Sequence, residues 1–169
     1  IKDLAQMQAV MSVYPPDSKN RLLLEYGVRT GLRISDILNV KVGDVLGKDT
    51  YQVIEQKTGK KKELAIHDRL KQSIAIYVKK EGLQPEDYLF YSANDRQTHI
   101  KRTQANRIIS KAGDMVGLTL SAHSLRKSFG YHSYKQGIDI SLLQMIFQHS
   151  SQVVTLRYID ITQENINRV

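Results

Sequence analysis

The sequence predicts a mainly α (α+β) domain, a helical body carrying a small antiparallel β-sheet of about three strands. Three observations predict it. Apolar residues recur at helical spacing along most of the chain, with Ser, Asp and Gly standing where helices start and stop. Between Thr50 and Ile66 the period shortens to that of β-strands. The 169 residues show no internal repeat, low-complexity tract or linker, so residues 1–169 read as a single domain able to bury about 70% of its unfolded surface.

The elements follow in order. Residues 1–14 place Leu4, Met7, Val10 and Met11 on one helical face, with Asp3 as cap and Pro15-Pro16 as the stop. A chain that begins directly in a helix reads as a domain cut from a longer protein. Ser18 caps a second helix through Leu22, Leu23, Tyr26 and Val28, closed by Gly31. Ser35 is expected to cap a short helix burying Ile37 and Leu38, with Arg33 at the junction. TYQVIEQ and KKELAI, joined by KTGK, predict a β-hairpin. Asp68 is expected to cap a helix through Leu70, Ile74, Ile76, Tyr77 and Val78 that ends at Gly82. Tyr88-Leu89-Phe90 is expected to be a third strand, and residues 91–102 a polar loop. A helix over Thr103–Val116 turns Ile108, Ile109, Ala112 and Met115 inward, with Gly117 as its cap. Ser121 or Ser124 starts the helix carrying His123, Arg126, Phe129 and Tyr134, which Gly137 ends. Ser141–Phe147 forms another, Ser151 caps the segment with Val153, Val154, Leu156 and Tyr158, and Thr162–Val169 is a last helical stretch.

Composition narrows the function. Lys and Arg number 25 against 17 for Asp and Glu, a net charge of +8. A surplus of that size suits a protein that meets nucleic acid or another polyanion, or simply a basic surface. There are no cysteines, which excludes disulfides and thiolate metal sites. The apolar runs are too short to cross a membrane and no signal-peptide pattern stands at the N-terminus, so no membrane association and a cytoplasmic location are expected.

Six residues carry chemistry when taken together: Arg33, Lys57, His123, Arg126, His149 and Tyr158. Two guanidiniums clamp both non-bridging oxygens of a phosphodiester and offset the charge of a pentavalent transition state. A tyrosine hydroxyl, with a pKa of about 10, needs cationic neighbours or a base before it attacks, and His123 serves as that base. Lys57 supplies the general acid for an alkoxide leaving group, and His149 a further phosphate donor. Singly, each has a plainer reading. Arg33 is then a solvated charge, His149 a capping histidine, and Tyr158 one of nine tyrosines filling the core. Lys57, Lys60, Lys61 and Lys62 crowd one turn, facing DNA or merely solubilising it. His67, His99, His123, His132 and His149 show no zinc-type spacing, so neither a metal nor a cofactor is expected.

The stretches TGLRISDIL, QKTGKKKEL, HSLR and QHSSQVVTLRY resemble, in order, the catalytic motifs of the tyrosine recombinase (phage integrase) family, over nearly the whole chain. The resemblance implies a catalytic domain of the DNA breaking-rejoining type. It implies that Arg33 and Arg126 bind the scissile phosphate with Asp36 in support. Lys57 is then the general acid, His123 the acid/base, His149 a phosphate donor and Tyr158 the nucleophile. Lys60, Lys61, Lys62 and Lys127 are expected against the DNA. The implied reaction joins Tyr158 to a 3′-phosphate and frees a 5′-hydroxyl, whose attack on a partner strand exchanges strands through a Holliday junction. It also implies double-stranded DNA as partner, a homotetramer on two DNA sites, a place on the nucleoid, and a separate N-terminal core-DNA-binding domain that this chain lacks. The tail after Tyr158 is expected to dock on a neighbouring protomer. Gln148 stands where the family usually has glycine, and Lys127 where a histidine commonly follows the arginine, so altered local packing is expected at both.

Two other functions compete. A type IB topoisomerase runs similar tyrosine chemistry and relaxes supercoils, but HSLR and the short interval from His149 to Tyr158 resemble the recombinase version. A DNA-binding module without catalysis is the other, against which stands the presence of every catalytic group.

Overall fold

A computed structural model describes residues 1–161 of the chain. The expected helix Thr162–Val169, and the docking of the tail it belongs to, lie outside the described residues. In chain order the elements are α1 (Leu4–Ser12), α2 (Lys19–Thr30), α3 (Ile34–Leu38), α4 (Val42–Val45), β1 (Thr50–Ile54), β2 (Lys61–Ala65) and α5 (Asp68–Glu81). Then come β3 (Tyr91–Ser92), β4 (Asp95–His99), α6 (Arg102–Asp114), α7 (Ala122–Lys135), α8 (Ile140–Phe147) and α9 (Gln152–Tyr158).

Helix α2 is the axis of the body. Its apolar face, Leu22, Leu23, Leu24 and Tyr26, is buried against α5 (Leu70, Ile74, Tyr77), α6 (Ile109) and α7 (Leu125). Close approach of α2 and α7 depends on Gly27, where an added Cβ would lie 2.7 Å from Leu125 Cδ1. Ser18 caps α2 by accepting from the Arg21 amide, and Gly31 ends it at φ 62, a left-handed conformation that glycine adopts without steric cost. A second, smaller core joins α7, α8 and the segment after α9 through Leu143, Phe147, Ile159 and Ile161. Gly130 on α7 admits it, since a Cβ there would meet Phe147 and Ile159 at 2.6 Å.

Strands β1 and β2 pair antiparallel from Thr50↔Ala65 to Ile54↔Lys61, with Tyr51 and Val53 turned to the core. The Tyr26 hydroxyl donates to that of Tyr51 at 2.5 Å, fixing the hairpin to α2. The polar stretch expected to be a loop is instead a second hairpin, with β3 and β4 paired antiparallel. Tyr88-Leu89-Phe90 is not a strand. Tyr88 makes one bridge to Lys41, and Leu89 donates its amide to the Val40 carbonyl. Among the described residues the sheet structure is therefore two separate two-stranded ladders.

Several helix starts sit one or two residues before where the sequence put them. Arg33, not Ser35, is the N-cap of α3, and His67, not Asp68, caps α5 by accepting from the Arg69 amide. Asp139 caps α8, which begins at Ile140. Ile76 and Met115, expected inward, are exposed. No helix among the described residues is long and apolar enough to cross a membrane.

Candidate active site

Three helix starts converge on one cleft of about 450 Å³. The start of α3 brings Arg33, the start of α6 Arg102, and the first turns of α7 His123 and Arg126; the turn after β1 adds Lys57 from the side. No carboxylate is among its lining residues. With cationic side chains and no carboxylate in its lining, the cleft is an anion site before any ligand is considered.

Arg126 is held from behind. Nη1 donates to the Gly31 carbonyl at 2.5 Å and Nη2 to the Phe147 carbonyl at 3.4 Å, both at C-terminal ends of helices that favour a cation. Its guanidinium lies 4.7 Å from the Phe147 ring centre. Burial lowers its pKa, with the Tyr158 hydroxyl acting in the opposite direction. Arg33 is held by charge: its Nη1 is buried and makes no hydrogen bond, and its ion-pair partner Glu55 Oε1 lies 3.5 Å away.

Asp36 is buried at 2% exposure and accepts from the Gln56 amide at 2.9 Å. Burial raises its pKa, opposed by that amide and by the charges of Arg33 and Arg126. Its direct hydrogen bond thus goes to the residue before Lys57, while its link to the arginines is electrostatic.

His149 and Tyr158 lie near Arg126 but are not among the lining residues of the cleft. Their rings are 4.9 Å apart, edge to face, and both pack on Phe147. The Tyr158 hydroxyl is buried without a hydrogen-bond partner; burial raises its pKa above 10, opposed by Arg126 and Arg33. A phenol so placed keeps its proton near pH 7 and needs both a base and re-exposure before it attacks. His149 Nδ1 lies 3.1 Å from Thr155 Oγ1, which itself donates to the Ser151 carbonyl. With that proton spent, Thr155 accepts from Nδ1–H, which leaves Nε2 of the neutral ring unprotonated. Burial, then Arg126 and Arg33, lower the His149 pKa below 6.5, favouring the neutral ring.

The lysines divide. Lys57 lines the arginine cleft, whereas Lys60, Lys61 and Lys62 border an adjoining hollow with Gln144, Gln148 and His149. Lys62, grouped from sequence with the DNA-facing lysines, turns inward to Glu55 at 2.5 Å and to the Ile146 carbonyl at 2.9 Å. Lys127 sits 3.7 Å from Asp160 and 5.6 Å from the Tyr158 ring centre. Sequence reasoning did not single out Glu55, Arg102 or Thr155. Gln148 takes φ 59, a left-handed conformation that glycine adopts most readily, and donates through Nε2 to Glu55.

A cleft walled by positive charge, with a buried phenol behind one of its arginines, suits enzymes that break and rejoin DNA strands. The model of the phage integrase family matches residues 2–165, and the chain belongs to that family. It is 40% identical over 166 residues to the probable integrase/recombinase YoeC of Bacillus subtilis, covering 97% of this chain and 90% of that one. It is 28% identical to the tyrosine recombinase XerA of Thermococcus onnurineus over 96% of its own length but 58% of that protein's. Among solved structures, a XerA recombinase superposes with a TM-score of 0.81 at 20% identity, over 99% of this chain and 63% of that one. XerH bound to its palindromic difH substrate after cleavage gives 0.76 at 20% identity, over 99% and 51%. Members of the family are site-specific DNA recombinases that work through a phosphotyrosyl intermediate.

Proposed function

We propose that this chain cuts and rejoins duplex DNA at a specific site, as the catalytic part of an integrase from a phage or other mobile element. The observation that carries the reading is the gathering of Arg33, Lys57, His123 and Arg126 around a cleft without a carboxylate, next to the Tyr158 hydroxyl. Arg33 and Arg126 hold the non-bridging oxygens of the scissile phosphate, and Arg102 lies at the same cleft to meet the strand beside it. Tyr158 Oη attacks phosphorus while His123 takes its proton; the bond from phosphorus to the 5′-oxygen breaks and Lys57 protonates that oxygen. His149 stabilises the phosphoryl oxygens once Nε2 takes up a proton, which the negative charge of the bound phosphate favours. The freed 5′-hydroxyl of a partner strand reverses the sequence on the phosphotyrosyl bond, so bond energy is conserved and strands are exchanged.

The same reading extends to the assembly. Four protomers on two DNA sites make the two pairs of exchanges that pass through a Holliday junction, with Lys60, Lys61 and Lys127 along the backbone, on nucleoid DNA. A plasmid carrying two copies of the element's junction tests it. Recombinant circles are the expected product. Relaxed plasmid without recombinants would instead assign the chemistry of a type IB topoisomerase, and an unaltered plasmid with retained binding would leave a DNA-binding module.

A further inference from the structure

Glu55 is a carboxylate in a place that otherwise collects cations. It is the last residue before the β1–β2 turn, and its side chain is 2% exposed. Oε1 faces Lys62 Nζ at 2.5 Å and Arg33 at 3.5 Å. Oε2 accepts from Thr58 Oγ1 at 2.7 Å and from Gln148 Nε2. Its backbone closes the turn as well, donating to the Lys60 carbonyl at 3.0 Å and accepting from the Gly59 amide at 2.8 Å. An isolated buried carboxylate costs several kcal/mol, so these donors are what keep it ionised there.

The partners belong to separate parts of the site. Arg33 comes from the α2–α3 junction, Thr58 and Lys62 from the hairpin that carries Lys57, and Gln148 from the turn immediately before His149. Gln148 sits in a backbone conformation that is uncommon outside glycine, and its bond to Glu55 helps hold it there. At 3.5 Å, Glu55 attracts the Arg33 guanidinium through its buried Nη1 without taking a hydrogen bond from it.

We propose that Glu55 is a positioning residue of the catalytic centre. It steadies Arg33, anchors the turn that presents Lys57, and through Gln148 sets the turn that presents His149. Glu55 does not itself touch substrate. The inference rests on the strand-cleaving reading above.

The test compares wild type, Glu55→Gln, Glu55→Ala and Gln148→Ala on nicked suicide duplexes from the element's ends, with either a phosphodiester or a neutral methylphosphonate at the scissile position. The methylphosphonate lacks the charge that Arg33 neutralises. Single-turnover cleavage of the phosphodiester is expected to fall about 100-fold in Glu55→Ala, the size of losing one aimed donor, and about tenfold in Glu55→Gln, which keeps an acceptor. On the methylphosphonate both losses shrink to a few-fold, at unchanged DNA affinity. Equal losses on the two substrates, or losses that follow the melting temperature alone, overturn the proposal. Should Glu55→Ala not fold, Glu55→Gln and Gln148→Ala decide it, with cleavage equal to wild type in both as the contrary result. A wild type that forms no adduct overturns the strand-cleaving reading instead. The positioning claim is then read from the NMR signals of Arg33 Nε and the His149 ring titrated with inorganic phosphate. Binding about tenfold weaker in Glu55→Gln supports it, and equal binding overturns it.

Discussion

The Asp36 carboxylate accepts a hydrogen bond from the Gln56 backbone amide at 2.9 Å, one residue before Lys57. A buried acid on α3 thereby ties down the start of the hairpin turn that carries Lys57. That bond and the Glu55 contacts together set the cleft geometry on the lysine side, because the Lys57 side chain itself is exposed.

Asp36→Ala leaves a part-buried amide unpaired, which costs about 1–3 kcal/mol of stability and frees the turn. Cleavage is expected to slow on an ordinary phosphodiester and to recover on a duplex with a 5′-bridging sulfur, whose leaving group needs no proton. Asp36→Asn, which retains an oxygen acceptor, is expected to lie between. Urea unfolding and single-turnover cleavage read the two effects apart.

Lys57→Ala is expected to abolish cleavage of ordinary DNA and spare the bridging-sulfur duplex, the pattern of a lost general acid. Lys60→Ala is expected to lose the same fraction on both substrates, as for a backbone contact. The reverse pattern would move the acid role to Lys60.

Much of this was legible because it is local. Ser18, Gly31, Gly82 and Ser151 bound their helices where the sequence puts them, since a cap depends on its own hydrogen bond or dihedral and little else. The β3–β4 hairpin was not legible. Its strand Asp95–His99 is polar along its length and mostly exposed, so no alternation marks it. Ile76 and Met115 kept helical spacing but fell at the margins of buried faces. For the site, ordered motifs pointed to Arg33, Lys57, His123 and Arg126, which the fold brings to one cleft. Glu55 carries no such mark, because what it does arises only when the hairpin, the α3 start and the α8 end meet. Gln148 was visible as a departure from glycine, but its compensation by Glu55 was not.

Gly31→Ala combines two penalties. Its φ of 62 disfavours a side chain, and the added Cβ would lie 2.2 Å from Phe129 Cδ1. A loss of about 2–4 kcal/mol is expected from strain and overpacking together. The carbonyl that holds Arg126 moves with it, so cleavage is expected to fall even at temperatures where the variant is folded.

Acid unfolding should report Glu55. Burial alone would raise its pKa, but hydrogen bonds from Lys62, Thr58 and Gln148, with the charge of Lys62, hold it at about 2, against an ordinary 4.5. A depressed carboxylate contributes stability above pH 4.5 and loses it as pH falls toward 2, in all roughly 3 kcal/mol. Glu55→Gln is expected to flatten that part of the stability profile, which urea titrations between those pH values measure.

Covalent trapping decides whether Tyr158 is the nucleophile. Wild type and Tyr158→Phe are incubated with nicked suicide duplexes from the element's ends, and the products are resolved on a denaturing gel and mapped by mass spectrometry. A protein–DNA adduct is expected with wild type alone, its 3′-phosphate on Tyr158. An adduct that persists in Tyr158→Phe, or maps to another of the tyrosines, would contradict it.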